Sequence, residues 1–138
     1  KQCDIMKISE EEVAFVSEQE SLEKGVSFIR DNSDIKILFV TLGNKGSIAY
    51  YKDEKIYCGG IHQEHVVDTT GAGDTFCGAV LSRILELGTD ALTEKDIREM
   101  LLFANAAASI VVTRKGALCS MPEPEEIRAA SSLIDKVL

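Results

Sequence analysis

Positive charge is scarce in this chain. Its 15 lysines and arginines face 23 aspartates and glutamates over 138 residues, a formal balance of −8, and they form no basic run. That excludes the electrostatic footprint of a nucleic-acid binder or of a protein held on an anionic membrane, so any phosphate must be held locally. Long apolar runs are also missing. None approaches the length needed to span a bilayer, and the acidic N-terminal stretch lacks the pattern of a signal peptide, so a soluble, cytoplasmic protein is expected. Two histidines and four cysteines complete the short supply. Cys3, Cys58, Cys77 and Cys119 form no C-x-x-C pair, and His62 and His65 have no cysteines beside them, which argues against a zinc site and for reduced thiols.

Two familiar phosphate motifs are lacking as well. Gly43-Asn44-Lys45-Gly46-Ser47 does not have the spacing of a P-loop, and the stretch from Gly71 has Phe76 where the third glycine of a dinucleotide fingerprint would stand.

What the chain does have is a 45% apolar content, enough for the core of one domain. Its most informative stretch is Asp68-Thr69-Thr70-Gly71-Ala72-Gly73-Asp74, which opens a long apolar helical pattern. Small residues at 71–73 permit a tight turn and leave backbone N–H groups uncovered where the helix begins. Such a terminus can hold a phosphate or another developing anion. Asp74 would repel that anion unless it has a chemical task, and taking the proton from a substrate hydroxyl is such a task. The alternative is an ordinary first-turn aspartate.

Around this stretch the pattern alternates between helix and strand. Residues 3–8 read as a strand already in progress in a chain without an initiator methionine, so a fragment is expected. Ser9 and Glu12 have capping-box spacing for a helix to about Glu18, with Val13, Phe15 and Val16 as its apolar contacts. Leu22, Val26 and Ile29 stripe a helix from Ser21 to Asp31 that covers a sheet. Ile37–Thr41 is a continuous apolar run, as in a parallel strand buried on both faces, and Thr41–Gly46 occupies its carboxyl end, where ligands of open α/β sheets gather. A plain turn explains the glycines there equally well. Ser47–Tyr51 and Lys55–Tyr57 form a hairpin around Asp53-Glu54, and His65–Val67 reads as a further strand.

The helix opened by Gly71 runs to Leu87. It is apolar nearly all round, with Phe76, Val80, Ile84 and Leu87 on one side and Cys77, Leu81 and Leu85 beside them, so a central position is predicted. Gly88 stops it, and Thr93 with Asp96 starts another helix from Glu94 to Val112. Asn105 interrupts the apolar face of that helix, either as a core amide bonded to backbone or as a contact at a ligand's edge. A last amphipathic helix follows Pro122 and Pro124, with Ile127, Leu133, Ile134 and Val137 as its contacts.

Together these stretches resemble the C-terminal half of a PfkB/ribokinase-family carbohydrate kinase, most similar to the fructokinase branch. Residues 68–79 fit the family's second signature. Lys7–Glu12, Thr41–Gly46, Phe103–Ala107 and Val112–Ala117 follow the family's order, so nearly the whole chain is covered. The resemblance implies a ribokinase-like, three-layer α/β/α fold, with residues 1–138 as the C-terminal ATP-binding part of one kinase domain. The N-terminal sugar-binding half and lid would lie outside the chain.

By the same resemblance, Asp74 is the base and the N–H groups of Gly71, Ala72, Gly73 and Asp74 are the anion hole. Thr41, Gly43 and Gly46 line the ATP site, and Asn105 lies against adenine. Glu12 falls in the family's N-x-x-E element, which acts on the Mg2+ that accompanies the phosphates. Ser9 stands where that element has asparagine, so a capping role for Glu12 competes. Asp68, Thr70, Val111, Arg114, Gly116 and Ser120 match the positions around a monovalent cation such as K+. The implied activity is ATP-dependent phosphorylation of a sugar hydroxyl, fructose to fructose 6-phosphate. A ribokinase or nucleoside kinase and a non-catalytic nucleotide-binding or interaction module are the alternatives. No nucleic acid or membrane partner is expected. A homo-oligomer, a dimer, is expected, and so is inactivity of the 138 residues in isolation.

Overall fold

Residues 3–134 are described by a computed structural model, the side chains of Leu133 and Ile134 lying outside the description. Strand β1 (Ile5–Ser9) leads through helices α1 (Glu10–Ser17) and α2 (Leu22–Asp31) to β2 (Ile37–Thr41). A single 3-10 turn at Gly43–Lys45 then enters the hairpin of β3 (Gly46–Tyr51) and β4 (Glu54–Gly59). Helices α3 (Ala72–Leu87), α4 (Glu94–Val111) and α5 (Pro124–Ile134) complete the chain.

The sheet has the order β1-β2-β3-β4. β1 runs parallel to β2 in the register Ile5↔Ile37 to Ser9↔Thr41, and β3 and β4 are added antiparallel. Alternation along β2 sorts the core in two. Leu38 and Val40 meet Val13 of α1 and Val26 and Ile29 of α2 on one face. Ile37 and Phe39 meet Phe76 and Val80 of α3 and Leu101 and Ala104 of α4 on the other. Phe39 and Phe76 pack edge to face with ring centroids 6.3 Å apart. The protein is thus a three-layer α/β/α sandwich.

The caps follow the sequence closely. Ser9 accepts from the Glu12 N–H at 3.1 Å while the Glu12 carboxylate accepts from the Ser9 N–H at 2.7 Å. Thr93 and Asp96 repeat this reciprocal pair at the start of α4. Gly88, at φ 76°, ends α3.

Three expectations need correction. His65–Val67 forms no strand. The N–H groups of Val67 and Asp68 both donate to the Val112 carbonyl, at 2.8 and 3.2 Å, so this stretch is tied to the end of α4 instead of to the sheet edge. On α1 the inward stripe is Val13 and Ser17, four residues apart, and this turns Phe15 (85% exposed) and Val16 to the surface. α3 is not enclosed either. Phe76, Ala79, Val80 and Ile84 face the core, whereas Leu81, Leu85 (87% exposed) and Leu87 do not. Of the contacts expected on α5, Ile127 is buried, and Val137 lies outside the described residues. Among the described residues no helix is long and apolar enough to cross a membrane.

Gly25 sets how closely α1 and α2 approach, since a Cβ there would meet Val13 Cγ1 at 2.6 Å and Ser17 Oγ at 2.8 Å. Val13 is β-branched and buried and has little room to turn away. Gly25→Val is therefore expected to lower stability by about 1–3 kcal/mol through overpacking. Urea unfolding that shows no loss would refute this account of the helix pair.

Candidate active site

The carboxyl ends of β1 and β2, the turn after β2 and the start of α3 enclose a cavity of about 730 Å³. Thr41, Gly43, Gly46, Ala72, Gly73 and Asn105 all line it, so the structure gathers six residues that are far apart in sequence. The two turn glycines have different reasons. At Gly46 φ is +106° and a Cβ would lie 2.2 Å from the Cys58 carbonyl oxygen, so the hairpin itself demands glycine. At Gly43 φ is +60° and a Cβ would meet nothing within 4 Å, so the missing side chain leaves space open.

Asn105 is a core amide. Its Oδ1 accepts from Ser47 Oγ at 2.9 Å, and its Nδ2 donates to the carbonyls of Cys58 and Gly59, both at 3.2 Å. It stitches α4 to β3 and β4 and presents its edge to the cavity with its hydrogen bonds already engaged.

At the N-terminus of α3, Gly71 adopts φ 84° and no side chain caps the helix. The Ala72 N–H turns back to the Thr69 carbonyl at 3.3 Å. Those of Gly73 and Asp74 have no protein partner among the described residues, so two donors at the positive end of a 16-residue helix remain available. Ala72 and Gly73 line the cavity. Asp74, one residue on, is exposed and lines a separate groove of about 600 Å³ bounded by α3, α4 and α5. The helix end thus stands between the cavity and the carboxylate.

Behind the turn, Asp68 clips two chain segments together. Its Oδ1 accepts from the Thr70 N–H at 2.9 Å and its Oδ2 from the Gly116 N–H at 3.4 Å. The Thr70 backbone bond, then the Thr70 side chain and the Gly116 N–H, hold the Asp68 carboxyl below its ordinary value. The remaining residues of this group are engaged locally. The Val111 carbonyl accepts from the Arg114 N–H at 3.0 Å, the Arg114 guanidinium pairs with Glu126, and buried Ser120 donates to the Ala117 carbonyl at 2.8 Å.

The residues themselves favour a cap for Glu12, and the cap forms, whereas two charged residues on the cavity wall, Glu11 and Lys7, carry no role in the sequence reading. The Glu12 carboxylate is turned to its own helix end, and the α1 carboxylate on the cavity wall is Glu11. Backbone hydrogen bonding, then Ser9 and Lys45, hold the Glu11 carboxyl below its ordinary value. Lys7 of β1 reaches the same cavity. The signal for it was available, since strand alternation puts Lys7 on the same face as Ile5. Among the described residues no group of three or more His, Cys, Asp or Glu is placed to hold a metal ion by itself.

The mixed α/β sandwich is the fold of solved fructokinases and ribokinases, and the protein is of the ribokinase-like kind. The family model described as pfkB family carbohydrate kinase matches residues 1–124, and the chain belongs to that family. Fructokinase-1 of Oryza sativa subsp. japonica is 39% identical over 128 residues, which is 91% of this chain and 39% of that protein. A fructokinase from Vibrio cholerae O395, solved in a form bound to fructose, ADP and calcium ion, superposes with a TM-score of 0.81 at 32% identity, covering 91% of this chain and 40% of that one. Arabidopsis thaliana ribokinase complexed with ribose and ATP gives 0.77 at 34% identity, covering 93% and 40%. The chain therefore spans about two-fifths of the length of these relatives.

Since the folded Asp68 carboxyl is depressed, its contribution is present above the unfolded value and is lost as pH falls through the folded one. The clip should open in acid, below about pH 4, and not in base. Amide hydrogen exchange at Thr70 and Gly116, corrected for intrinsic rates, should accelerate there in the parent protein. In Asp68→Asn it should show no such step. A step of equal size in both would show that another group controls the clip.

Proposed function

We propose that the protein carrying this chain is an ATP-dependent kinase that phosphorylates a sugar hydroxyl, with fructose as the sugar. The observation that carries this reading is the uncapped start of α3, which stands between a nucleotide-sized cavity and the exposed Asp74 carboxylate. A phosphate chain entering from the cavity would rest its terminal group on the N–H groups of Gly73 and Asp74. A hydroxyl approaching from the other side would meet Asp74.

In transfer, the hydroxyl oxygen bonds to the terminal phosphorus while the bond from that phosphorus to the bridging oxygen breaks. ADP leaves with the electron pair, and the hydroxyl proton passes to Asp74. The N–H groups hold the negative charge on the transferring group, with little reorganisation because the helix already fixes them. Thr41 and Gly43 wall the nucleotide side, and Asn105 offers a fixed edge for the adenine. Fructose is favoured over ribose or a nucleoside by the fructokinase names of the curated relatives.

The residues fit Mg2+ only as a companion of the phosphates, since that ion takes most of its ligands from phosphate and water and needs one or two carboxylates from the protein. Glu11 would supply one as α1 stands, and Glu12 would do so on giving up its cap. The ion's contribution is charge neutralisation on the phosphates. A monovalent cation such as K+ would be held by the Asp68 carboxylate with carbonyl oxygens of the turn that follows α4, beside the anion site.

Asp74→Asn in the complete protein tests the reading. It preserves size and removes the proton acceptor, so turnover of fructose with ATP should fall by about 10²–10⁴-fold. The dissociation constant for ATP should change little. Near-parental turnover on every sugar of a panel that includes fructose and ribose would return Asp74 to a first-turn helix residue and remove the mechanism.

A further inference from the structure

Lys7 is out of place for a sheet residue. It pairs in register with Phe39 on β2, so it faces the side of the sheet covered by α3, where Ile5, Ile37 and Phe39 join the apolar core. Among the described residues its ammonium makes no ion pair with a carboxylate. The side chain instead crosses to the first turn of α3. A Cβ placed on Gly73 would lie 3.0 Å from Lys7 Nζ and 3.7 Å from its Cε. An ammonium and the positive end of a 16-residue helix therefore stand together on the cavity wall.

Two positive groups held this close are unfavourable by themselves and become favourable when an anion bridges them. Among the described residues lining the cavity, Lys7 is the one lysine or arginine, in a protein whose overall charge is −8. Gly73 serves both partners, because a larger residue there would fill the space the ammonium crosses.

We propose that Lys7 is a phosphate-binding residue of this site: its ammonium contacts the terminal phosphate of a nucleoside triphosphate from the β1 side while the N–H groups of Gly73 and Asp74 hold it from the α3 side. The assignment rests on the kinase reading above. A lysine suits the position as a compact point charge, which can follow the terminal phosphate oxygens as they move in transfer.

The test uses the complete protein and compares ATP with adenosine, which shares the base and ribose and lacks the phosphates. Lys7→Met keeps the aliphatic stem and removes the charge. Calorimetry should show ATP binding weakened by about 10–100-fold, adenosine binding unchanged, and most of the ATP affinity restored in Lys7→Arg. Parental ATP affinity in Lys7→Met, or an equal loss for ATP and adenosine, overturns the assignment. A second measurement needs no variant: acetylation of Lys7 in the parent protein, followed by mass spectrometry. ATP should protect Lys7 and adenosine should not, and equal labelling overturns the assignment even where Lys7→Met does not fold. A parent protein that binds no ATP removes this assignment together with the kinase reading. One that binds and turns over ATP, with Lys7→Met unchanged, removes the Lys7 assignment alone.

Discussion

The burial of β2 on both faces is the constraint on which the rest of the structure depends. Four consecutive residues, Ile37 to Val40, are all but inaccessible to water, so each must find apolar partners on its own side of the sheet. Odd positions call for α3 and α4, and even positions call for α1 and α2. A register slip of one residue would exchange the two sets and strand both. The same parity runs through the paired strands. It sends Lys7, Thr41 and Ser47 toward the α3 side, where the first two reach the cavity and the third holds Asn105. The chemistry of the site is thus a by-product of how a hydrophobic strand is covered.

Features whose cause is local were legible in the sequence. Capping boxes at Ser9 and Thr93, the stop at Gly88 and the glycine turn before α3 each depend on a few neighbouring residues. So does the apolar run of β2. Features decided by distant partners were not. Val66 and Val67 have strand-like side chains, but their segment is secured to the Val112 carbonyl, 45 residues further along in the case of Val67. The apolar circumference of α3 gives no sign of which side the sheet will take. The Ser9 cap accounts for Glu12 locally, but the place of its neighbour Glu11 on the cavity wall depends on the turn after β2 and the start of α3, which complete that wall.

On the kinase reading, the site would hold a highly charged anion within an acidic protein. The net charge is unfavourable for phosphate at long range, but screening confines such effects to roughly 8–10 Å in physiological salt. Within that distance the cavity offers a helix terminus, two backbone donors and one ammonium. Asn105 contributes by having both of its N–H donors engaged. An amide that already holds three partners would not compete for phosphates, and it keeps α4 seated on the hairpin that forms the cavity's wall.

The Val112 carbonyl, which receives the N–H groups of both Val67 and Asp68, has a consequence for how this chain can vary in length. Both acceptor directions of one oxygen are in use, so the end of α4 and the approach to α3 behave as one pinned body. Between Gly60 and Val66 the backbone is irregular and largely exposed, and extra residues can bulge into water there without moving the pin. Between Val67 and Ala72 every residue is spoken for by the pin, the Asp68 clip or the turn itself. An insertion there would displace the first turn of α3 from the cavity, so homologous chains should differ in length on one side of Val67 and agree on the other.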